Sequence, residues 1–221
     1  MKLKSEIKPV EPSQDATRQQ LLEAAGEVFA EAGFRNATVR EICRRAGANI
    51  AAVNYHFGDK ERLYTEVLRY SHGKTLEKYP PLLGVPENSP PEKKLRAFVL
   101  SLLLRIFDTG PTSWHGRLMA REMIEPSAAL DSLVEERIRL MTIQLSQIVG
   151  EILNLPPTYE CVRLCAFSVV SQCTFYKHCH PMVVRLFPEQ SEMDPAAIGQ
   201  IADHITKFSL AALKTFVNKR S

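Results

Sequence analysis

The side chains best suited to specific chemistry in this sequence lie between Thr38 and Lys60. Two short segments with helical spacing of apolar residues are joined there by Gly47-Ala48. Each segment begins with a residue that favours a helix N-terminus, Thr38 in the first and Asn49 in the second. Two short helices joined by a glycine-containing turn are typical of a helix-turn-helix unit, whose second helix lies in the major groove of DNA. The segment therefore predicts binding to double-stranded DNA.

The second of these helices divides into two faces. Ile50, Val53 and Phe57 recur at helical spacing, so we expect all three to hold the helix to a core. On the opposite face, an alanine methyl can contact the thymine methyl group and an asparagine amide can pair with adenine. Tyrosine and histidine side chains can donate to phosphates or reach base edges. The residues expected on this face are Ala51, Ala52, Asn54, Tyr55 and His56.

The flanking residues favour phosphate contacts. Thr38 and Arg40 begin the first helix, whose N-terminal amides can bind a phosphate, and Thr38 with Glu41 predicts a capping box. Lys60 begins the next helix and adds a cation. Six bases and three acids between residues 35 and 62 give that stretch a net charge of +3, equal to the charge of the whole chain. We therefore expect this end of the protein to face the DNA backbone.

The segment AGANIAAVNYHF, residues 46–57, resembles the signature of the TetR family of transcriptional regulators. The resemblance continues to Tyr64, and it extends back through Gly33-Phe34 and an amphipathic first helix that carries Phe29. The position that often holds Tyr in this family is Asn54 here, so the sequence is similar to one subgroup with its own recognition-helix signature.

That resemblance implies a homodimer whose C-terminal domain binds a small-molecule effector and dimerises through the last two long helices. It also implies a function, most often that of a repressor that its ligand releases from a palindromic operator. Carried over position by position, it implies DNA contacts at Thr38, Val39, Arg40, Asn49, Ala51, Ala52, Asn54, Tyr55, His56 and Lys60.

Helical periodicity dominates the chain, and its ordinary composition (45% hydrophobic, 24% charged) argues against disorder. We predict an all-α fold with an N-terminal three-helix helix-turn-helix domain and a larger C-terminal helical domain. The predicted boundaries are a flexible tail at 1–14, a DNA-binding domain at 15–60, and a ligand-binding and dimerisation domain at 61–221. One long helix is predicted from about residue 130 to residue 153. The segment 161–176 is apolar on nearly every side, so we expect it to be buried all round.

Pockets in similar proteins lie among the middle helices of the C-terminal domain. An aromatic residue, a methionine and a charged pair close to the break at Gly110-Pro111 would make a mixed pocket wall. The alternative is that the same residues form core packing and a structural ion pair. The candidate ligand contacts are Phe107, Trp114, Met119, Arg121, Phe167 and Cys173.

Other functions remain as alternatives. Four of the five cysteines lie between Cys161 and Cys179, beside His178 and His180, and such a group could bind metal or sense oxidants. Their spacing matches no known metal motif, so no metal site and no cofactor is predicted. A helical enzyme is a further alternative, but no phosphate loop, nucleophile elbow, dinucleotide fingerprint or zinc-protease motif occurs. A helical adaptor that binds only proteins would leave the segment 38–60 unexplained.

The ends of the chain bear on its location. The first twelve residues lack the apolar stretch of a signal peptide, and no run of 18 apolar residues occurs. An odd number of cysteines makes a poor disulfide framework. We therefore expect a cytoplasmic protein with reduced thiols and no membrane segment.

Overall fold

The computed structural model describes residues 14–110, 113–188 and 192–218, and over these residues the fold is all-α as predicted. Of the tail expected at 1–14, only Gln14 lies within the described residues, and it begins the first helix. The helices, in chain order, are α1 (Gln14–Asn36), α2 (Val39–Ala46), α3 (Ile50–Phe57), α4 (Lys60–Lys78), α5 (Pro91–Ile106), α6 (Trp114–Ile124), α7 (Ala128–Leu133), α8 (Arg139–Leu153), α9 (Glu160–His178), α10 (His180–Leu186) and α11 (Pro195–Asn218).

Three consecutive N-caps fix where α2, α3 and α4 begin. The Thr38 hydroxyl accepts a hydrogen bond from the Glu41 amide, the Asn49 side-chain oxygen from the Ala52 amide, and the Asp59 carboxylate from the Arg62 amide. Such caps satisfy backbone donors that have no partner within the helix. Between α2 and α3, Gly47 adopts a left-handed conformation with φ of 62°, which ends α2 and allows the tight turn.

Two hydrophobic cores divide the helices between them. The first contains apolar side chains of α1 to α4 together with Trp114 and Leu118 of α6 and Ala129 and Leu133 of α7. The second is built from α5, α8, α9 and α11. Helix α6 follows α5 in the chain but packs into the N-terminal core, chiefly against α1 and α4.

The helix predicted over residues 130–153 is present without a break, but it contains a π-helical turn that was not predicted. The structure has α7, then a π-helical turn at Val134–Ile138, and then α8. A π-turn widens the helix by one residue per turn and shifts the side chains that follow, which apolar spacing alone does not reveal. Helix α10 was also absent from the predicted elements.

The expectation that residues 161–176 are buried on every side is wrong for the single chain. Leu164 and Phe167 on α9 are 55% and 50% exposed. Helix α9 packs against α5, α8 and α11 with one side only, and its other side faces outward. Phe208 on α11 is likewise 59% exposed. Within the described ranges, no helix is both long and apolar enough to cross a membrane.

Candidate nucleic-acid interface and an internal cavity

Two of the three predicted anchors hold α3 to the core. Val53 is fully buried and Phe57 is 6% exposed, and the Arg18 guanidinium lies 5.3 Å from the centre of the Phe57 ring. The prediction for Ile50 is wrong, because this side chain is 52% exposed. Ile50 is the first residue of α3 and lies outside the core that takes in the other two.

The opposite side of α3, which we call the α3 outer face, comprises residues 51, 52 and 54–56. Ala51 and Asn54 are exposed, Tyr55 is 72% exposed and His56 is partly exposed, whereas Ala52 is partly buried and packs against the N-terminal core. The rings of Tyr55 and His56 meet edge to face, with centroids 5.0 Å apart. A large unburied tyrosine beside small side chains gives this face both close approach and hydrogen-bonding reach.

Asn49 differs from the residues of the α3 outer face. Its side-chain oxygen accepts from the Ala52 amide at 2.8 Å, so this oxygen is occupied by the N-cap of α3. Asn54 is exposed on the same helix, one turn further on. The two asparagines therefore have different structural roles, which their sequence positions alone did not separate.

The residues expected near phosphates surround the starts of α2 and α4. Thr38 and Arg40 are exposed, whereas Val39 is partly buried and packs against the N-terminal core. The Lys60 ammonium donates to the Arg35 carbonyl at 3.3 Å and lies 4.8 Å from the centre of the Phe34 ring. These contacts hold the Lys60 charge at the beginning of α4.

Ion pairs neutralise part of the local positive charge. The Glu41 carboxylate accepts hydrogen bonds from Arg44 and Arg45, which hold its pKa at about 2, well below the ordinary value. Arg45 also donates two hydrogen bonds to Glu31. Only the Thr38 half of the predicted capping box is therefore formed, since the Glu41 carboxylate bonds to arginines instead. Four further bases of this stretch are Arg35, Arg40, Lys60 and Arg62.

A central cavity of about 480 Å³ lies between α4, α5, α6, α8 and α9. This volume is within the range of small-molecule sites, roughly 300–1,000 Å³. Two of the predicted ligand contacts, Met119 and Phe167, line it. Its other lining residues are His72, Thr75, Phe98, Leu102, Arg105, Ile106, His115, Gly116, Ala120, Met123, Ile138, Met141, Thr142, Leu145, Ala166, Val170, Thr174, Lys177 and His178. A wider, more polar groove of about 640 Å³ runs beside Gln147 and Glu151.

The other four predicted ligand contacts lie outside the lining of the central cavity. Trp114 is 2% exposed and fills the N-terminal core, and Arg121 donates to the Ala30 and Glu31 carbonyls near the end of α1. Cys173 is fully buried in the second core, where burial raises its thiol pKa to about 12. Phe107 lies beside the cavity, with the Lys177 ammonium 5.4 Å from its ring centre.

The predicted ligand contacts did not include the polar residues that line the central cavity. His72, Arg105 and His115 are all less than 9% exposed. Burial lowers the pKa of His72 to about 4 and that of His115 to about 3, so both imidazoles are neutral at neutral pH. Burial also lowers the pKa of Arg105 to about 10, which leaves it charged. One signal was available: Arg105 interrupts the apolar run Leu-Leu-Leu-Arg-Ile at the C-terminal end of α5.

The cysteine and histidine group of α9 and α10 does not converge on a metal site. Among the residues that the structure describes, no three His, Cys, Asp or Glu side chains are grouped so that they could hold a metal ion. Cys161 and Cys165 lie one turn apart on α9 and are partly buried, and burial raises the pKa of Cys165. The metal-responsive alternative therefore has no ligand set within those residues.

Comparison with known proteins yields two family models that together span most of the chain. The model for bacterial regulatory proteins of the tetR family matches residues 21–67. The model for the C-terminal domain of the HTH-type transcriptional dual regulator CecR matches residues 91–213, more than half of the chain.

Curated relatives are similar over shorter stretches. The dual regulator CecR of Shigella flexneri is 29% identical over 146 residues, which cover 62% of this chain and 64% of that protein. The HTH-type transcriptional repressor AcnR of Corynebacterium efficiens is 43% identical over 53 residues, which cover 24% of this chain and 28% of that protein. The chain thus spans less than two thirds of the length of the curated relatives it matches.

Solved structures agree in fold over nearly the whole chain. A transcriptional regulator from Rhodococcus sp. Rha1 superposes with a TM-score of 0.64 at 22% identity, covering 88% of this chain and 96% of that one. A bacterial regulatory protein of the tetR family from Rhodococcus RHA1 gives a TM-score of 0.63 at 20% identity, covering 89% and 96%. At this level of identity the likeness concerns the fold alone.

Proposed function

Because the chain belongs to the TetR family of bacterial regulatory proteins, we propose that it is a sequence-specific DNA-binding transcriptional regulator, most simply a repressor. Its place of action is then the cytoplasm, where the operator DNA is, and its role is regulatory rather than enzymatic. The α3 outer face is the observation that carries this proposal. A helix anchored by Val53 and Phe57 presents exposed Ala51, Asn54 and Tyr55 outward, as a recognition helix requires.

We assign two kinds of DNA contact to the predicted residues. Thr38, Arg40 and Lys60, at the starts of α2 and α4, suit phosphate contacts, which position a protein on the duplex without carrying sequence information. The exposed residues of the α3 outer face suit base edges. In this proposal residues 15–60 form the DNA-binding domain, and residues 61–221 form the ligand-binding and dimerisation domain.

A homodimer through α9 and α11 completes the proposal. Support comes from large apolar side chains on the outward sides of these helices that are about half exposed in the single chain: Leu164, Phe167, Phe175, Phe208 and Phe216. Several large apolar side chains exposed on neighbouring helices are typical of an interaction site. A two-fold protein matches a two-fold operator, so dimerisation and palindromic recognition support each other.

The effector would bind in the central cavity and release the repressor from DNA. Helix α6 supports such coupling, because Met119 lines the cavity while Arg121, one half-turn later, donates to carbonyls of α1. A ligand that shifts α6 would therefore act on a helix of the DNA-binding domain. A ligand shifts the equilibrium between the DNA-binding and the released conformation only to the extent that it binds one of the two more tightly.

The deciding experiment is selection of bound duplexes from a random pool with the full-length protein, followed by a gel shift on the enriched site. We expect a palindromic motif, and light scattering should report a dimer of chains of 24.9 kDa each. Asn88→Ala, in an exposed loop far along the chain from α3, is a matched control that should keep the motif. Failure to enrich any sequence over the starting pool would refute the proposed function.

A further inference from the structure

We propose that the effector is an organic anion, in which an apolar body carries one carboxylate-like group that lies against Arg105 on the floor of the central cavity. This inference rests on the proposed function, since it specifies the ligand of the same site.

Within the part of the chain that the structure describes, the charged side chains that line the cavity are all cationic. Arg105 and Lys177 are cationic side chains in the lining, and His72, His115 and His178 accompany them. No aspartate or glutamate is among the lining residues that the structure describes. A buried cation is costly unless an anion compensates it, so the charge that is missing from this cavity is negative.

The guanidinium group of Arg105 has hydrogen-bond donors that are not used within the described part of the protein. It is 6% exposed, its Nε donates to the Ser101 carbonyl at 3.2 Å, and its Nη1 approaches the Met141 sulfur at 3.0 Å. Thioether sulfur is a weak acceptor. Its Nη2 is buried and has no hydrogen-bond partner among the described residues. A planar guanidinium with free donors matches the two oxygens of a carboxylate.

His72 provides a second unpartnered polar atom in the same lining. Its side chain is 6% exposed, and its Nδ1 has no hydrogen-bond partner within the described ranges. Because burial and the neighbouring Arg105 keep the His72 pKa at about 4, the ring is neutral at neutral pH. A neutral imidazole with Nδ1 protonated can still donate one hydrogen bond to an anion. Arg105 and His72 thus form a small polar floor.

The remaining lining indicates which way the ligand lies. Met123 and His178 are exposed and mark the opening, whereas Arg105, His72 and His115 are buried. Between the two ends the walls are mostly aliphatic, aromatic and methionine side chains, with three threonines, and they suit a largely apolar body of variable shape. The acidic group would therefore point inward and the apolar body toward the opening.

Two acids with buried side chains, Asp108 and Glu122, already accept hydrogen bonds from other side chains, although Asp108 Oδ2 has no hydrogen-bond partner among the described residues. Asp108 accepts hydrogen bonds from Lys78 and Tyr79, and Glu122 accepts them from Tyr64 and Ser127. Neither carboxylate lines the cavity. A cationic ligand would find no counter-charge in this lining and would face the Arg105 charge instead.

Titration calorimetry on the full-length protein tests whether the cavity prefers anions, by comparing each anion with a neutral compound of similar shape. Decanoate is compared with decanol, and naphthoate with naphthamide, so that each pair differs chiefly in charge. We expect at least one anion to bind tighter than its neutral match by about tenfold or more. Arg105→Met should bring that anion down to the affinity of its neutral match while leaving the neutral probe unchanged. Arg96→Met, on the exposed side of the same helix, is the matched control and should keep the preference.

The binding measurements can overturn the inference in two ways. If no anion binds better than its neutral match in the unmodified protein, or if Arg105→Met keeps the preference, the inference is overturned. Should Arg105→Met misfold, as circular dichroism would reveal, Arg105→Lys serves instead and should weaken the preference without abolishing it. The gel shift without ligand separates the two proposals. Specific DNA binding without an anion preference defeats only this inference, and an anion preference without DNA binding defeats only the proposed function.

Discussion

The Tyr64 hydroxyl donates a hydrogen bond to the Glu122 carboxylate at 2.5 Å, within the buried interior. Tyr64 belongs to α4 and Glu122 to α6, so this bond links the helix that directly follows the helix-turn-helix segment to a helix that lines the central cavity. Ser127 also donates to Glu122 through its hydroxyl and its amide. Burial, followed by the hydrogen bond to Glu122, raises the Tyr64 pKa above its ordinary value, so the phenol stays protonated as the donor.

Removing the Tyr64 hydroxyl should destabilise the fold. Tyr64→Phe leaves a buried carboxylate with one donor fewer, which costs about 1–3 kcal/mol of the free energy of unfolding. Urea denaturation measures this change. Tyr55→Phe removes the same hydroxyl from a 72% exposed side chain and should change stability little. Equal effects of the two substitutions would contradict the structural role of the buried bond.

A second contact between α6 and the N-terminal core depends on the absence of a side chain. A Cβ atom at Gly26 of α1 would meet the Trp114 ring at 2.3–2.5 Å, far inside van der Waals contact. Gly26→Ala should therefore displace Trp114 and cost about 1–3 kcal/mol of stability by overpacking. Thermal unfolding with near-ultraviolet circular dichroism, which reports the environment of the single tryptophan, measures both effects.

Gly73→Ala is the control for that substitution. Gly73 lies within α4, and a Cβ atom there would meet nothing within 4 Å. The change should be neutral or stabilising by up to about 1 kcal/mol, because alanine restricts the unfolded chain. A loss of stability at Gly73 as large as at Gly26 would contradict the assignment of the Gly26 effect to the Trp114 contact.

Sequence patterns predicted the helix-turn-helix segment more accurately than the C-terminal domain, for a physical reason. Its boundaries depend on local capping by Thr38, Asn49 and Asp59, which residue types reveal directly. The central cavity depends on which helices lie side by side, and no local pattern encodes that. Trp114 and Arg121 are close in sequence to Met119, yet their contacts are with α1 rather than with the cavity.

The two asparagines of the recognition segment should respond differently to alanine. Asn49→Ala removes the N-cap of α3 and should lower the free energy of unfolding by about 0.5–2 kcal/mol. Asn54→Ala should leave stability unchanged, because Asn54 is exposed. If Asn54 contacts a base edge, its loss should instead cost about 1–3 kcal/mol at particular base pairs. Urea denaturation and site selection, run on both variants, separate the roles; an unaltered selected motif for Asn54→Ala would remove it from the base contacts.

Lys60→Ala should weaken binding to all DNA sequences by a similar factor. A lysine that contacts a phosphate releases about one counterion, so the slope of log affinity against log salt should flatten by about one unit. Fluorescence anisotropy at several salt concentrations gives the slope. Lys74→Ala, an exposed lysine further along α4 that pairs with Glu77, serves as the control and should keep the slope. An unchanged slope for Lys60→Ala would argue against a phosphate contact.

The buried histidines of the cavity should make stability depend on pH. The pKa of His72 is about 4 in the folded protein against an ordinary 6.5, so below pH 6.5 the unfolded chain binds a proton that the folded chain does not. The His72 contribution is therefore constant above about pH 6.5 and is lost as the pH falls toward 4. The loss is up to about 3 kcal/mol, taking 1.36 kcal/mol per pKa unit. Urea denaturation across this interval measures it.

His72→Phe should reduce that pH dependence because it removes the titrating group while filling similar space. Thr75→Val alters the same cavity wall, one turn along α4, without changing any titrating group, and should keep the dependence of the unmodified protein. Arg105 and Arg137 both lower the His72 pKa, so Arg105→Met should raise that pKa and reduce the stability that is lost between pH 6.5 and 4. A stability profile for His72→Phe that is parallel to the unmodified one between pH 4 and 6.5 would show that His72 does not titrate as a buried, neutral side chain.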